Sequence, residues 1–297
     1  MIGPIETVRD TVNSWECDEN DHINIQFYAK RFDDAVRSFL VQASWQVPHR
    51  SIRLIRYHAE LRGGEPVHGT SGLVALEGGQ VGIEHRLYAS HRPDLSAPTL
   101  SATALDVLPD VQRADLSAFS LPQVSKDVLP KSGAFSSSGA VHVGGLDKLE
   151  ATYRGVVPPN AFSAEAESAD GARLSDRYLV GVISDAANHA WGLAGAPDPW
   201  LQARGLGRAA VELQLTYLTR PQAGDVVEAR TAIRAFSNKT VSYRHLIINR
   251  MTDTLIAQAD ITSLMLDLTS RKATPWPEDR KAQLRQGVAM FEKAYSA

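Results

Sequence analysis

The chain has 297 residues, of which 43% are hydrophobic and 22% charged, and its formal net charge is −3. This composition is typical of a globular protein and provides no basic surface of the kind that nucleic acids or anionic membranes bind, so neither partner is expected. The N-terminus lacks a basic segment followed by an apolar one, and the single cysteine, Cys17, suits a reducing compartment. We therefore expect a cytoplasmic protein.

The first predicted helix follows a polar stretch, "CDENDHINIQFY". Apolar residues recur at helical spacing from about Asn24 to Trp45, among them Tyr28 and Phe32. Asn24 is a suitable N-cap, and Ile23 with Tyr28 can form a hydrophobic staple across the helix start. The pattern predicts a long amphipathic helix that begins directly after the polar loop.

The chain then contains an internal repeat. Residues 57–88 align without a gap on residues 217–248, so that His85 falls on His245. Each stretch predicts a strand, a turn with glycine and an acidic residue, a second strand, a hairpin and a third strand. A histidine on an apolar strand face is usually a packed, hydrogen-bonded core residue, and we interpret both histidines in that way.

A second helical pattern covers residues 176–191 and is apolar over most of its circumference, which indicates burial on several sides. Residues 109–155 have no sustained period and contain "SGAFSSSG", which is typical of a linker. The predicted organisation is a first unit at 1–108, this linker, and a second unit at 156–297. The second unit is expected to end in a helix that begins near Pro277.

Each predicted unit combines a strand, one long helix and several antiparallel strands, which is an α+β arrangement. A curled antiparallel sheet wrapped around one long helix is the hotdog fold, and the chain resembles a tandem (double) hotdog protein. The expected product is a pseudo-dimer within one chain. Pairing of such pseudo-dimers into a homo-oligomer stays an open alternative.

The polar loop has the spacing Asp18, Asn20, His22, Asn24 and Tyr28. This resembles the motif D-x-N-x-H-V-N-N-x-x-Y of plant-type acyl-carrier-protein (ACP) thioesterases. It is also similar to the motif D-x-x-G-H-V-N-N-x-x-Y of the wider 4-hydroxybenzoyl-CoA thioesterase-like superfamily. The resemblance implies an acyl thioesterase that acts on acyl-CoA or acyl-ACP, with no cofactor.

The loop departs from these motifs in three respects. Asp21 stands where many members have glycine, and Ile25 replaces the second asparagine. The motif also lies in the first unit, whereas plant-type enzymes carry it in the second.

Thioester hydrolysis needs a carboxylate to activate water or attack the carbonyl, and Asp18 is our candidate for that role. It also needs donors for an oxyanion, which backbone amides at a helix N-terminus near Asn24 can supply. The resemblance implies that Asn20 and His22 orient the thioester and the attacking group. Asn24 and Tyr28 are further candidates for substrate binding.

Three candidates lie in the second half of the chain. Asp185 places a carboxylate within the apolar run "GVISDAANHAW", and phenylacetyl-CoA-type hotdog thioesterases, which the stretch resembles, carry an Asp in a similar helix. Alternatively, Asp185 pairs with Arg177 or Arg208, or faces solvent. Asn188 on the same helix and Lys239 on a predicted hairpin are weaker candidates for substrate binding, the lysine through a CoA phosphate.

Other chemistries are less well supported. Cys17, Asp18 and His22 supply three donors without a fourth nearby, so no metal site is predicted, and Cys17 is interpreted as a small structural residue. An enoyl-thioester hydratase of the hotdog fold is an alternative, although its usual motif, D-x-N-P-x-H, is one residue wider and contains proline. A non-catalytic acyl-thioester binding protein is the other alternative.

Overall fold

The computed structural model describes the chain in seven ranges, namely 2–19, 21–45, 50–90, 97–111, 116–131, 149–163 and 173–295. The chain divides into two compact units. The first comprises Met1–Ser137 and Ala161–Val180, and the second comprises Ser138–Asn160 and Gly181–Ala297.

The described part of the first unit contains one long helix and five strands. In chain order these are β1 (Ile5–Thr11), α1 (Ile25–Gln42), β2 (Ile52–Tyr57), β3 (Pro66–Ala75), β4 (Val81–Ala89) and β5 (Thr99–Leu108). All strand pairs are antiparallel, in the order β1-β3-β4-β5-β2. The helix α1 packs against β1, β3 and β4.

The second unit has a similar content. Its elements are β6 (Glu150–Val156), α2 (Asp176–Leu193), α3 (Asp198–Gln202), β7 (Leu206–Tyr217), β8 (Val226–Phe236), β9 (Thr240–Asn249), β10 (Thr254–Asp267), β11 (Ala273–Thr274) and α4 (Glu278–Tyr295). The first turn of α2 belongs to the first unit, and the rest to the second. The strands pair antiparallel in the order β6-β8-β9-β10-β7, and β11 pairs with β10.

The predicted elements are confirmed where the sequence pattern was strong. The three predicted helices are α1, α2 and α4, and each aligned stretch contains strands in the expected order. The chain is thus mostly antiparallel sheet with few helices, which is consistent with a hotdog thioesterase fold. Strand β6 lies largely within the segment 109–155, and the predicted unit boundaries stay a prediction. In the ranges described, no helix is long and apolar enough to cross a membrane.

The apolar face of α1 forms the core of the first unit. Val36 and Phe39 pack in one cluster with Leu73 of β3 and Ile83 of β4, and all four are buried. A fully buried side chain of this kind contributes about 1.5–3 kcal/mol relative to an exposed one. Burial of the helix against the sheet therefore supplies the main stabilisation of this unit.

A cluster of buried charges lies at one side of this core. Asp106 of β5 accepts hydrogen bonds from Arg53 at 2.6 Å and from Arg50 at 3.0 Å. Arg53 also pairs with Asp176, whose backbone N–H donates to Asp33 at 2.8 Å. Burial opposes ionisation of Asp106, but the two arginines outweigh it and hold the pKa of Asp106 well below its ordinary value.

The two strand histidines are core residues, as the sequence suggested. Each is 1% exposed, and each Nδ1 lies 2.7 Å from a hydroxyl on the neighbouring strand, Ser71 for His85 and Thr231 for His245. In the first unit the second ring nitrogen of His85 also lies 3.2 Å from Asp106. Because burial disfavours the charged imidazole, the pKa of His245 falls to about 4, although Asp260 opposes this.

We expect His245 to make the protein sensitive to acid. The histidine is neutral when folded but protonates near pH 6.5 when unfolded, so its contribution is full above about pH 6.5 and is lost as the pH falls towards 4. At about 1.4 kcal/mol per pKa unit, the loss is about 3 kcal/mol.

Urea unfolding of the wild type and His245→Gln, at about pH 7 and about pH 4.5, tests this expectation. The variant should lose less stability between the two pH values than the wild type does. Equal losses would contradict the assignment.

Candidate active site

A buried ion pair holds the polar loop that precedes α1. Arg31 of α1 is fully buried, and its guanidinium contacts both carboxylate oxygens of Glu16, the shorter distance being 2.7 Å. Glu16 also accepts the backbone N–H of Asn13 at 2.9 Å. Burial opposes ionisation of Glu16, but the hydrogen bonds from Arg31 and Asn13 outweigh it, so the pKa of Glu16 lies below its ordinary value.

The loop itself is a tight hairpin closed by Asp18 and His22. The N–H of Asp18 donates to the His22 carbonyl at 2.7 Å, and the N–H of His22 donates to Oδ1 of Asp18 at 3.3 Å. Asp21 sits in the turn with a φ of 59°, in the left-handed region that glycine adopts most easily. This conformation explains why the motif often has glycine there, and aspartate is one of the residues that tolerates it.

Asn24 ends the hairpin and begins α1. Its Oδ1 accepts the N–H of Gln26 at 3.1 Å, which confirms the predicted N-cap, and its own N–H donates to the Glu16 carbonyl at 2.8 Å. The N–H of Phe27 donates to the Asn24 carbonyl. Within the described ranges the N–H of Ile25 has no hydrogen-bond partner, so one first-turn amide remains available at the positive end of the helix.

The structure adds Glu60 to the predicted residues. Its carboxylate lies 3.2 Å from Nε2 of His22, which is 9% exposed. The neighbouring residue, Leu61, accepts the N–H of Ile23 at 2.9 Å and so fixes the segment after β2 beside the loop. No sequence signal identified Glu60, because the pairing joins residues that are far apart in the chain.

Cys17 and Tyr28 occupy structural positions beside the loop. Burial raises the pKa of the Cys17 thiol, and the carboxylates of Asp21 and Asp18 raise it further, so the thiol stays protonated. Tyr28 is 4% exposed, its ring centroid lies 5.2 Å from that of Tyr57, and burial raises its pKa. Its proposed role in substrate binding stays a prediction.

Asn20 lies outside the described residues.

The remaining candidates belong to the second unit. Asp185 is exposed, its carboxylate makes no hydrogen bond or ion pair among the described residues, and partial desolvation raises its pKa. Arg208 pairs instead with Asp198, at 2.5 Å.

Asn188 is exposed, and its side chain accepts the N–H of Asp198 at 3.2 Å. Lys239 lies exposed in the hairpin between β8 and β9. In the ranges that the structure covers, no cluster of three His, Cys, Asp or Glu is placed to hold a metal.

Comparison with protein families gives a match over part of the chain. Residues 170–284 match the model of the thioesterase-like superfamily. No curated protein sequence matches the chain.

Solved structures with a similar fold cover most of the chain. An acyl-ACP thioesterase from Bacteroides thetaiotaomicron has a TM-score of 0.56 at 6% identity, covering 88% of this chain and 97% of that one. A 12:0-ACP thioesterase from Umbellularia californica has a TM-score of 0.55 at 12% identity, covering 88% of this chain and 93% of that one. At these identities the likeness is one of fold.

We expect the Asn24 cap to stabilise α1. Asn24→Ala removes the acceptor for the Gln26 amide and should lower the free energy of unfolding by about 1 kcal/mol. Asn24→Asp keeps an acceptor oxygen and should remain close to the wild type. Urea unfolding of both variants tests the cap, and an equal loss in the two would contradict it.

Proposed function

We propose that this protein hydrolyses an acyl thioester, either acyl-CoA or acyl-ACP, with Asp18 as the general base or nucleophile. The observation that carries the proposal is the closed hairpin between Asp18 and His22, which is fixed directly at the start of α1. The hairpin brings a carboxylate, an imidazole and a helix N-terminus into one short segment. We further propose that the two units are tandem hotdogs, each with its sheet curled around α1 or α2.

The chemistry assigns a task to each group. Asp18 takes a proton from water as the water oxygen bonds to the thioester carbonyl carbon, or it attacks that carbon itself. In the first route the C–S bond then breaks, a carboxylic acid is released, and the thiolate takes the proton from Asp18. In the second route the C–S bond breaks to release the thiolate and leaves the acyl group on Asp18 as an anhydride, which water hydrolyses to the carboxylic acid, its other proton going to the thiolate. Because a thiol has a pKa near 8.5, its thiolate is a good leaving group and needs little help from an acid.

His22 is suited to a positioning task. Its pairing with Glu60 fixes the ring orientation and favours a proton on Nε2, since the ionised carboxylate accepts it. Asn20, in the motif position between Asp18 and His22, would orient the thioester, as the resemblance implies. Both residues would orient reacting groups without taking part in bond formation. We therefore expect substitution of either to lower activity less than loss of the Asp18 carboxylate does.

The oxyanion of the tetrahedral intermediate needs hydrogen-bond donors. The N–H of Ile25 would supply one such donor at the N-terminal end of α1. The positive end of the helix dipole would further stabilise the negative charge there. Asn24 contributes indirectly, because its cap occupies the Gln26 amide and leaves the Ile25 amide for the substrate.

The acyl carrier is proposed from the comparisons. The two similar structures are named as thioesterases of acyl-ACP, and that substrate comes first for this chain, with acyl-CoA as the second. Asp185, Asn188 and Lys239 are proposed as contributions of the second unit to substrate binding or chemistry.

Asp18→Asn should remove activity while preserving the turn. The amide oxygen can still accept the His22 N–H, but the side chain cannot take a proton, so we expect kcat/KM to fall about 10²–10⁴-fold. Glu60→Gln should cause a smaller loss. Glu19→Gln, an exposed neighbour in the same loop, is the matched control and should retain wild-type activity.

Release of free thiol from a panel of acyl-ACP and acyl-CoA substrates is the measurement. If Asp18→Asn matches the wild type, the catalytic assignment is wrong. If the wild type hydrolyses none of the panel, the proposed activity is wrong, and a hydratase or a binding protein becomes the better assignment.

A further inference from the structure

A cavity of about 300 Å³ lies within the second unit. It is bordered by the C-terminal end of α2, by the middle of β8, by the start of β6 and by one face of α4. Among the described residues, β6 pairs with β8 as far as Thr231, and α4 packs against β8. The candidate catalytic loop belongs to the first unit and contributes no residue to this cavity.

Helix α4 forms one wall of the cavity and packs closely against β8. Gly287 approaches Ile233 so closely that an added Cβ would lie 2.6 Å from its Cδ1, so a larger residue there would force the Ile233 side chain to shift. Met290 and Phe291, on the next turn, also border the cavity, and Met290 is 59% exposed. A flexible thioether at the opening can adapt to ligands of differing shape.

Gly192 is the second glycine in the wall, and it has no such steric requirement. It lies in the last turn of α2 with an ordinary φ, and a Cβ built there would meet no atom within 4 Å. Glycine destabilises a helix compared with alanine, so helix propensity does not explain the glycine at this position. Because Gly192 borders the cavity, a large side chain at this position would take up part of its volume.

Two polar side chains that line the cavity already form hydrogen bonds within the protein. The Thr231 hydroxyl is occupied by Thr152 and His245, at 2.6 and 2.7 Å, and the Gln283 amide donates to the Leu193 carbonyl at 3.0 Å. Among the described residues that line the cavity there is no Lys, Arg or His.

Two polar lining residues, Glu150 and Gln286, are exposed and therefore lie at the opening. A buried anion would be unpaired here, whereas an uncharged chain would not. A neutral polar end group could remain at the opening beside Gln286.

We propose that this cavity binds the apolar chain of an uncharged acyl or alkyl compound of medium length. A dry cavity of ~150 Å³ holds benzene, so about twice that volume accommodates roughly a dozen carbon atoms. The chain enters beside Met290, and its neutral end stays at Gln286. Binding does not depend on the proposed hydrolysis.

Gly192→Phe and Gly192→Ala form a matched pair for the test. The phenyl ring should fill about half of the cavity, whereas the methyl group leaves it open. Both changes favour the helix, so both proteins should fold, which far-UV circular dichroism and Tm will verify.

Calorimetric titration with 1-decanol is expected to give similar affinity for the wild type and Gly192→Ala. For Gly192→Phe the affinity should fall about tenfold or more. Decanoate should bind the wild type about tenfold more weakly than 1-decanol does, because its charge has no partner at the cavity.

Kinetics with acyl-CoAs of increasing acyl length show whether the bound apolar chain belongs to the substrate or to a separate compound. If the substrate's own acyl tail occupies the cavity, Gly192→Phe shifts the preference to shorter chains. If a free compound occupies it, decanol binding is lost while the chain-length preference stays unchanged. Failure of the wild type to bind 1-decanol, or equal binding by Gly192→Phe and Gly192→Ala, would overturn the proposal whether or not thioesters are hydrolysed.

Discussion

The buried pair between Arg31 and Glu16 is the interaction on which the candidate site depends. Arg31 projects from α1 towards the end of β1, where it also lies 3.0 Å from Asp10 and donates to the Thr11 carbonyl. A buried ion pair gains little net stability over apolar residues of similar volume, but removal of one partner leaves an unpaired buried charge. The pair therefore acts chiefly by fixing one position of the helix relative to the strand.

That position explains how the loop can be both a turn and a site. The Glu16 carbonyl accepts the N–H of Asn24. This hydrogen bond joins the two ends of the seven-residue segment 17–23 beside the ion pair and so closes the hairpin. Within it, the Asp18 carboxylate accepts the backbone N–H of His22, four residues on, which is a local side-chain-to-backbone hydrogen bond of the kind that aspartate makes in turns. The same hydrogen bond holds the carboxylate at the helix start, where a base would be needed.

Local rules account for what the sequence predicted well. The period of apolar residues predicted α1, α2 and α4, and the Asn24 cap followed from residue type and position alone. The pairings of Arg31 with Glu16 and of His22 with Glu60 depend on how distant segments meet, which periodicity does not encode. For the same reason the Arg53–Asp106 cluster was not anticipated.

Strand β6 was missed for a different reason. Its seven residues alternate poorly, and only Thr152 among them is buried, so the segment has no apolar stripe to recognise. It is an edge strand that pairs with β8 alone. Edge strands are defined by their backbone partner more than by their side chains, which is why the sequence there was interpreted as a linker.

The register of the two sheets shows that the repeats have diverged in their cores. His85 and His245 each lie opposite an alanine, Ala104 and Ala259, and each bonds a hydroxyl in the same way. Two residues beyond those alanines, the first unit pairs Asp106 with Arg53, whereas the second pairs Ile261 with Leu213.

One repeat thus carries buried charge where the other carries apolar side chains. Buried charges restrict a core to one arrangement, since each ion must keep its partner, whereas an apolar core tolerates changes in volume. The unit with the Arg53–Asp106 pair also carries the candidate catalytic loop, and the unit with the Ile261–Leu213 pair contains the open cavity. Such a distribution would suit the two proposed tasks, because catalysis demands fixed geometry and binding of an apolar chain demands space.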